Sequence, residues 1–141
     1  MINQAYIFVP MLVVVALTFV AFIGMSVGRA GAIKAGHDPA YYKAHLGAPE
    51  PEGTVVKVRH YNNMFEMPVL FYAACLTAFV LGAVGTWTVY FAWGYVIMRL
   101  IQSVVHLAHN NAVQRGMAFS LSVLFMLALW INIGMSVAGK L

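Results

Sequence analysis

Uncharged, mostly apolar residues run from Ala5 to Gly28, from Met67 to Met98, and from about Met117 to Ala138. The first and last runs are long enough to cross about 30 Å of hydrocarbon at about 1.5 Å rise per residue. The middle run is too long for one helix. Gly82-Ala83-Val84-Gly85-Thr86-Trp87 interrupts it with a glycine-rich break, and Trp87 suits a membrane interface. The pattern therefore predicts four spanning helices over about 5–28, 63–84, 87–108 and 117–138, in one domain covering residues 1–141. Helices satisfy their own backbone groups in lipid, and the short alternating segments of a barrel are absent. Ala30-Gly31-Ala32 has the form of a signal-peptide cleavage site, but no Lys or Arg precedes the apolar run and the run is too long, so it reads as a membrane helix.

Composition sharpens this to an all-α membrane protein, since 62% of residues are hydrophobic and 9% charged. Five of the eight basic residues (Arg29, Lys34, Lys43, Lys57, Arg59) and three of the four acidic ones (Asp38, Glu50, Glu52) fall between residues 29 and 59. The net charge of +4 thus has no basic surface to spread over, and no nucleic-acid partner is expected. Loops 29–62 and 109–116 hold six basic residues against Lys140 on the other side. By the positive-inside rule both loops face the cytoplasm and both termini lie outside. The long loop carries three prolines, and its end is expected to extend helix two into the cytoplasm.

The polar residues that do enter the apolar helices form two stripes. Arg59, Asn63 and Glu66 are spaced i, i+4, i+7, and Arg99, Gln102 and His106 are spaced i, i+3, i+7, so each trio occupies one helix face. Asn62 lies nearly perpendicular to the first face and is expected to matter less. Counting from the turn at Gly85 puts Glu66 at about 28 Å, Asn63 at about 33 Å and Arg59 at about 39 Å; Arg99, Gln102 and His106 fall at about 21, 26 and 32 Å. The stripes overlap at the cytoplasmic end. Ionised groups at such depth face protein or a wet cavity, which leaves two readings: a Glu66–Arg99 ion pair that fixes packing, or a binding site. Arg59, Arg99 and Arg115 offer forked donors for carboxylates, and Glu66 accepts from an ammonium. A small anionic or zwitterionic ligand suits the set, and an arginine beside a thiol favours the thiolate.

"RHYNNMFEMPVLFY" and "YVIMRLIQSVVHLAHNNAVQRGMAF" resemble motifs of the membrane-associated proteins in eicosanoid and glutathione metabolism, the MAPEG family, the first matching an R-x3-N-x2-E-x-P pattern. The resemblance covers nearly the whole chain. It implies a left-handed four-helix bundle assembled as a homotrimer, with glutathione as co-substrate between neighbouring subunits near the cytoplasmic surface. Arg59, Asn63 and Glu66 would contact glutathione, Arg99 would match the helix-three arginine, and Arg115 the arginine that stabilises the thiolate. Gln102 and His106 stand where the well-studied eukaryotic enzymes have tyrosines, and Met67 stands where an aromatic often follows the glutamate. Similarity to bacterial members implies the bacterial inner membrane.

Two functions follow as expectations. One is a glutathione-dependent transferase or peroxidase, with Arg59, Asn63, Glu66, Gln102 and His106 binding glutathione and Arg99 and Arg115 catalytic. The other is a non-catalytic subunit of the same fold that binds lipid or a larger membrane complex. Partners beyond membrane lipids would be a lipophilic small molecule or lipid. Of the histidines His37, His45, His60, His106 and His109, only His60 and His106 sit on facing helices, where they could ligate a haem. No CxxCH or HExxH accompanies them, so no metal is expected. Cys75 and Asn132 read as packing and interhelical bonding residues.

Overall fold

A computed structural model describes residues 2–140. After a 3-10 turn at Gln4–Ile7, helices run over Phe8–Lys34 (α1), Tyr41–Ala44 (α2), Glu52–Asn62 (α3), Met67–Val80 (α4), Thr86–Ala108 (α5) and Ala112–Ala138 (α6). Four helical units are long and apolar enough to cross a membrane: Gln4–Lys34, Glu52–Val80, Thr86–Ala108 and Ala112–Ala138. The fold is thus an all-α membrane bundle.

Several boundaries differ from those expected. α1 continues to Lys34, because the small residues of Ala30-Gly31-Ala32 keep helical geometry up to the left-handed Gly36. α6 starts earlier, where the Asn111 side chain accepts from Gln114 N–H at 3.0 Å and caps the helix. The loop expected at 29–62 holds α2 and the whole of α3, and helix two is interrupted at residues 63–66.

The end opposite the long loop is tied tightly. α4 ends in a Schellman motif, with Ala83 N–H bonded to Ala78 O and Gly82 N–H to Phe79 O, and Gly82 takes the left-handed φ of +58° that this turn requires. Gln4 clamps the turn by accepting from Val84 N–H at 2.9 Å and donating to Val84 O at 3.0 Å. Thr88 caps α5 and donates to Asn132 Oδ1 at 2.8 Å, which gives Asn132 the interhelical role expected of it.

α5 and α6 pack along most of their length. A Cβ on Gly94 would lie 2.4 Å from the Phe125 ring, so glycine is what lets these helices approach. The core joins Phe71, Ala74, Cys75 and Ala78 of α4 to Ala92, Tyr95 and Val96 of α5 and Met126, Leu129 and Ile133 of α6. Outside, Leu12, Phe19, Val80, Leu124 and Met135 are each more than half exposed, while Arg99 and Ser122 are wholly buried. Polar groups inside and apolar ones outside is the arrangement that hydrocarbon solvent selects.

Candidate functional site

Pro68 sets the local geometry. It has no N–H to donate and its ring crowds the preceding turn, so a helix arriving from α3 does not run through it. Residues 63–66 instead form turns closed by Met64 N–H to Tyr61 O and Phe65 N–H to Asn62 O, each at 2.9 Å. α4 restarts at Met67 with Pro68 in its first turn, where a missing donor is harmless. The break releases the Asn63 carbonyl from helical pairing.

Arg99 takes that carbonyl. Its Nη2 donates to Asn63 O at 2.6 Å and its Nη1 to Gln102 Oε1 at 2.8 Å, with the guanidinium 6.0 Å from the Tyr95 ring centroid and 5.9 Å from that of Phe119. Arg99 is 0% exposed, so it reaches any ligand only through the wall it supports. The Glu66–Arg99 ion pair does not form; among the described residues the ion pair is Arg29–Glu50 at 3.1 Å. Glu66 remains exposed at the cavity surface, while backbone and amide oxygens take Nη2 and Nη1 of Arg99 and its buried Nε has no partner.

Two adjoining cavities of about 240 Å³ each open beside this clamp. Arg59, Asn62, Asn63, Glu66, His106 and Arg115 line the first. Asn63, Glu66, Gln102, Arg115 and Phe119, with Ala112 and Gly116, line the second. Every expected site residue except Arg99 thus lies on a cavity wall. Around both cavities stand three guanidinium groups, of Arg59, Arg99 and Arg115, against one carboxylate, that of Glu66. Such an excess of positive charge is what an anion would balance.

Neighbouring groups hold the walls in place. Arg115 Nη1 donates to Asn110 Oδ1 at 2.7 Å, and Asn110 adopts a left-handed φ of +47° in the short link between α5 and α6. His106 Nε2 lies 2.9 Å from Val56 O, so that nitrogen carries the hydrogen and donates. The buried Nδ1 of His106 and Nε2 of His60 have no partner, although the two rings pack 5.2 Å apart. The two rings thus pack directly on each other with no gap for a haem between them, and no group of three or more His, Cys, Asp or Glu side chains gathers among the described residues.

Asn62, expected to matter less, also lines the first cavity. Arg59 and Asn62 are three positions apart on α3, about 60° around the helix, so they share a wall without help from the break. Depth counted at helical rise assumes an unbroken helix. Phe71 and Tyr95, stacked at 4.4 Å, are about 6 Å apart by count; Asn63–Arg99 and Val56–His106 are each about 12 Å apart by count, yet hydrogen-bonded. Such a count gives helical rise to the turn residues 81–85 and the break residues 63–66, which lie outside the helices, and omits the reach of the Arg99 side chain. Asn110, which holds Arg115, is not among the residues expected from the sequence, and its signal is the Asn-Asn pair that ends one helix and caps the next.

No curated protein and no solved structure matches the chain. The MAPEG family model matches residues 7–135, nearly the whole chain, and the chain belongs to the MAPEG family.

Proposed function

We propose that the protein is an integral-membrane, glutathione-dependent transferase or peroxidase acting on lipophilic electrophiles. The observation that carries this reading is the convergence of Arg59, Asn63, Glu66, Gln102, His106 and Arg115 on adjoining cavities with three guanidinium groups against one carboxylate. Glutathione carries two carboxylates, an ammonium and a thiol. Once the thiol ionises, its net charge of about −2 balances that surplus.

In this reading Arg59 holds a carboxylate, Glu66 accepts from the ammonium, and Asn63 serves either group. Arg115, aimed by Asn110, stands beside the sulfur and favours the thiolate, the nucleophilic form. Arg99 adds its field from behind the wall and keeps Asn63 in place. The thiolate then attacks an electrophile entering from the bilayer: a carbon–sulfur bond forms as a leaving group departs, or, with a hydroperoxide, an S–O bond forms as the O–O bond breaks and the alcohol leaves, and a second glutathione converts the sulfenic acid to disulfide and water. A homotrimer in which neighbouring subunits close the open side of the cavities suits this chemistry, as does a bacterial inner membrane with the 29–62 and 109–116 loops cytoplasmic.

One observation favours a second reading, a non-catalytic membrane subunit that binds lipid or a larger complex. No hydroxyl group lines either cavity, and the Gln102 carbonyl oxygen is already occupied by Arg99. Purified protein in lipid bilayers, given glutathione with a chloronitrobenzene or an organic hydroperoxide, separates the readings. Conjugation or peroxide reduction well above the uncatalysed rate is expected. Glutathione binding without turnover would select the second reading, and neither binding nor turnover by an intact oligomer would sink the first.

A further inference from the structure

A third cavity, of about 320 Å³, lies on the other side of His106, between the start of α3 and the end of α5. Glu52, Gly53, Val56 and Lys57 line it from α3; His106, Leu107, Ala108, His109 and Asn110 line it from α5 and the link after it. It shares only His106 with the cavities described above.

Its charges are unspent. Neither the Glu52 carboxylate nor the Lys57 ammonium has an ion-pair or hydrogen-bond partner among the described residues, whereas the nearby carboxylate of Glu50 is taken by Arg29. Glu52 and Lys57 are five positions apart, about 140° around the helix, so they do not face each other. Both nonetheless border one cavity, which holds opposite charges with a gap between them.

The cavity also leads into hydrocarbon. Leu107 on its rim is 49% exposed, and Val104, Ile101, Leu100 and Ile97 continue from it along α5, all exposed. Their spacing puts them on one face roughly 120° wide and about 15 Å long, opposite the buried face that carries His106.

We infer that this cavity and the α5 stripe bind one phospholipid with a zwitterionic headgroup, its phosphate on Lys57, its ammonium on Glu52 and an acyl chain along Leu107 to Ile97. A second copy of this chain would have to bring Asp38 or its own Glu52 to Lys57, the two carboxylates left once Glu50 is paired and Glu66 faces the other cavities. A zwitterionic headgroup supplies both missing charges at once, at the depth where headgroups reside.

Native mass spectrometry on protein taken from nanodiscs of equal phosphatidylethanolamine and phosphatidylglycerol tests this without any thiol present. It therefore fails or succeeds independently of the proposed activity. About one phosphatidylethanolamine per chain is expected to survive detergent transfer in preference to phosphatidylglycerol. Lys57→Met should lower retention of both lipids about tenfold, the loss of one charge-assisted bond, and Glu52→Gln should remove the preference between them while retaining phosphate binding. The stem of Lys57 packs on Gly28 of α1, a contact the methionine stem can keep, and unchanged helicity by circular dichroism confirms that the variants fold. Equal retention of the two lipids by wild type, or retention unmoved by either variant, would overturn the inference. So would a Leu107→Lys or Val104→Lys variant that dissociates the oligomer, which would make the stripe a contact between copies.

Discussion

Arg99 and Arg115 are both arginines in one polar cluster, yet their surroundings give them different work. Arg99 is sealed in and spends its two terminal nitrogens on Asn63 O and Gln102 Oε1, its Nε staying unpartnered, whereas Arg115 lines both cavities with Asn110 steadying one end. Arg99→Met should leave two buried acceptors unpaired, at about 1–3 kcal/mol each, and lower the thermal unfolding midpoint in detergent. Arg99→Lys keeps the charge but lacks the fork needed for both bonds, so glutathione affinity measured by calorimetry should fall about tenfold with a smaller loss of stability. Asn110→Gly keeps the left-handed backbone and deletes the amide that aims Arg115. It should weaken glutathione-induced thiolate absorbance several-fold without moving the unfolding midpoint. The residue types at the site were legible in the sequence, because ionisable groups stand out in an apolar helix. Their division into wall and support was not, since it turns on which carbonyl the break sets free.

That break is the feature of the helices with most consequence. A continuous Glu52–Val80 helix would pair the Asn63 carbonyl with Met67 N–H and leave Arg99 without its main-chain acceptor. Pro68→Ala removes the obstacle to continuous pairing. The variant should be at least as stable to heat as wild type while binding glutathione about tenfold more weakly, a pairing that comparison of unfolding midpoints with calorimetric affinities would reveal. Gly94 makes the opposite kind of demand. Gly94→Ala should cost about 1–3 kcal/mol through the clash with Phe125, and Phe125→Leu in the same chain should recover part of it in a detergent unfolding titration. Helix number and placement came from the runs of apolar residues and the Gly82–Gly85 turn. The interruption before Pro68 was written in the sequence as well, but it is hidden in the pattern, because Asn63 and Glu66 fall on a helical polar stripe with Arg59 and Met64 and Phe65 fill the other side.

For the whole molecule, the long-loop end collects nearly everything unlike hydrocarbon: the Arg29–Glu50 pair, the buried His60 and His106, the three guanidinium groups and the mixed-charge cavity. The opposite end is closed by Gln4, Thr88 and Asn132, and by Lys140, whose ammonium donates to Leu81 O. Charge asymmetry along the chain made the two ends distinguishable from sequence. The separation of the polar end into an anion cleft and a mixed-charge cavity was not legible, because His106 divides them only once α3 folds against α5. The central claim is that the cleft binds glutathione and ionises it. Ultraviolet difference absorbance in the thiolate band, recorded as glutathione is added to the purified protein in lipid at neutral pH, tests that claim most directly. A saturable signal of about one thiolate per site, lost in Arg115→Ala, is predicted. No thiolate signal from the intact wild-type oligomer, or an equal signal from Arg115→Ala, would contradict it.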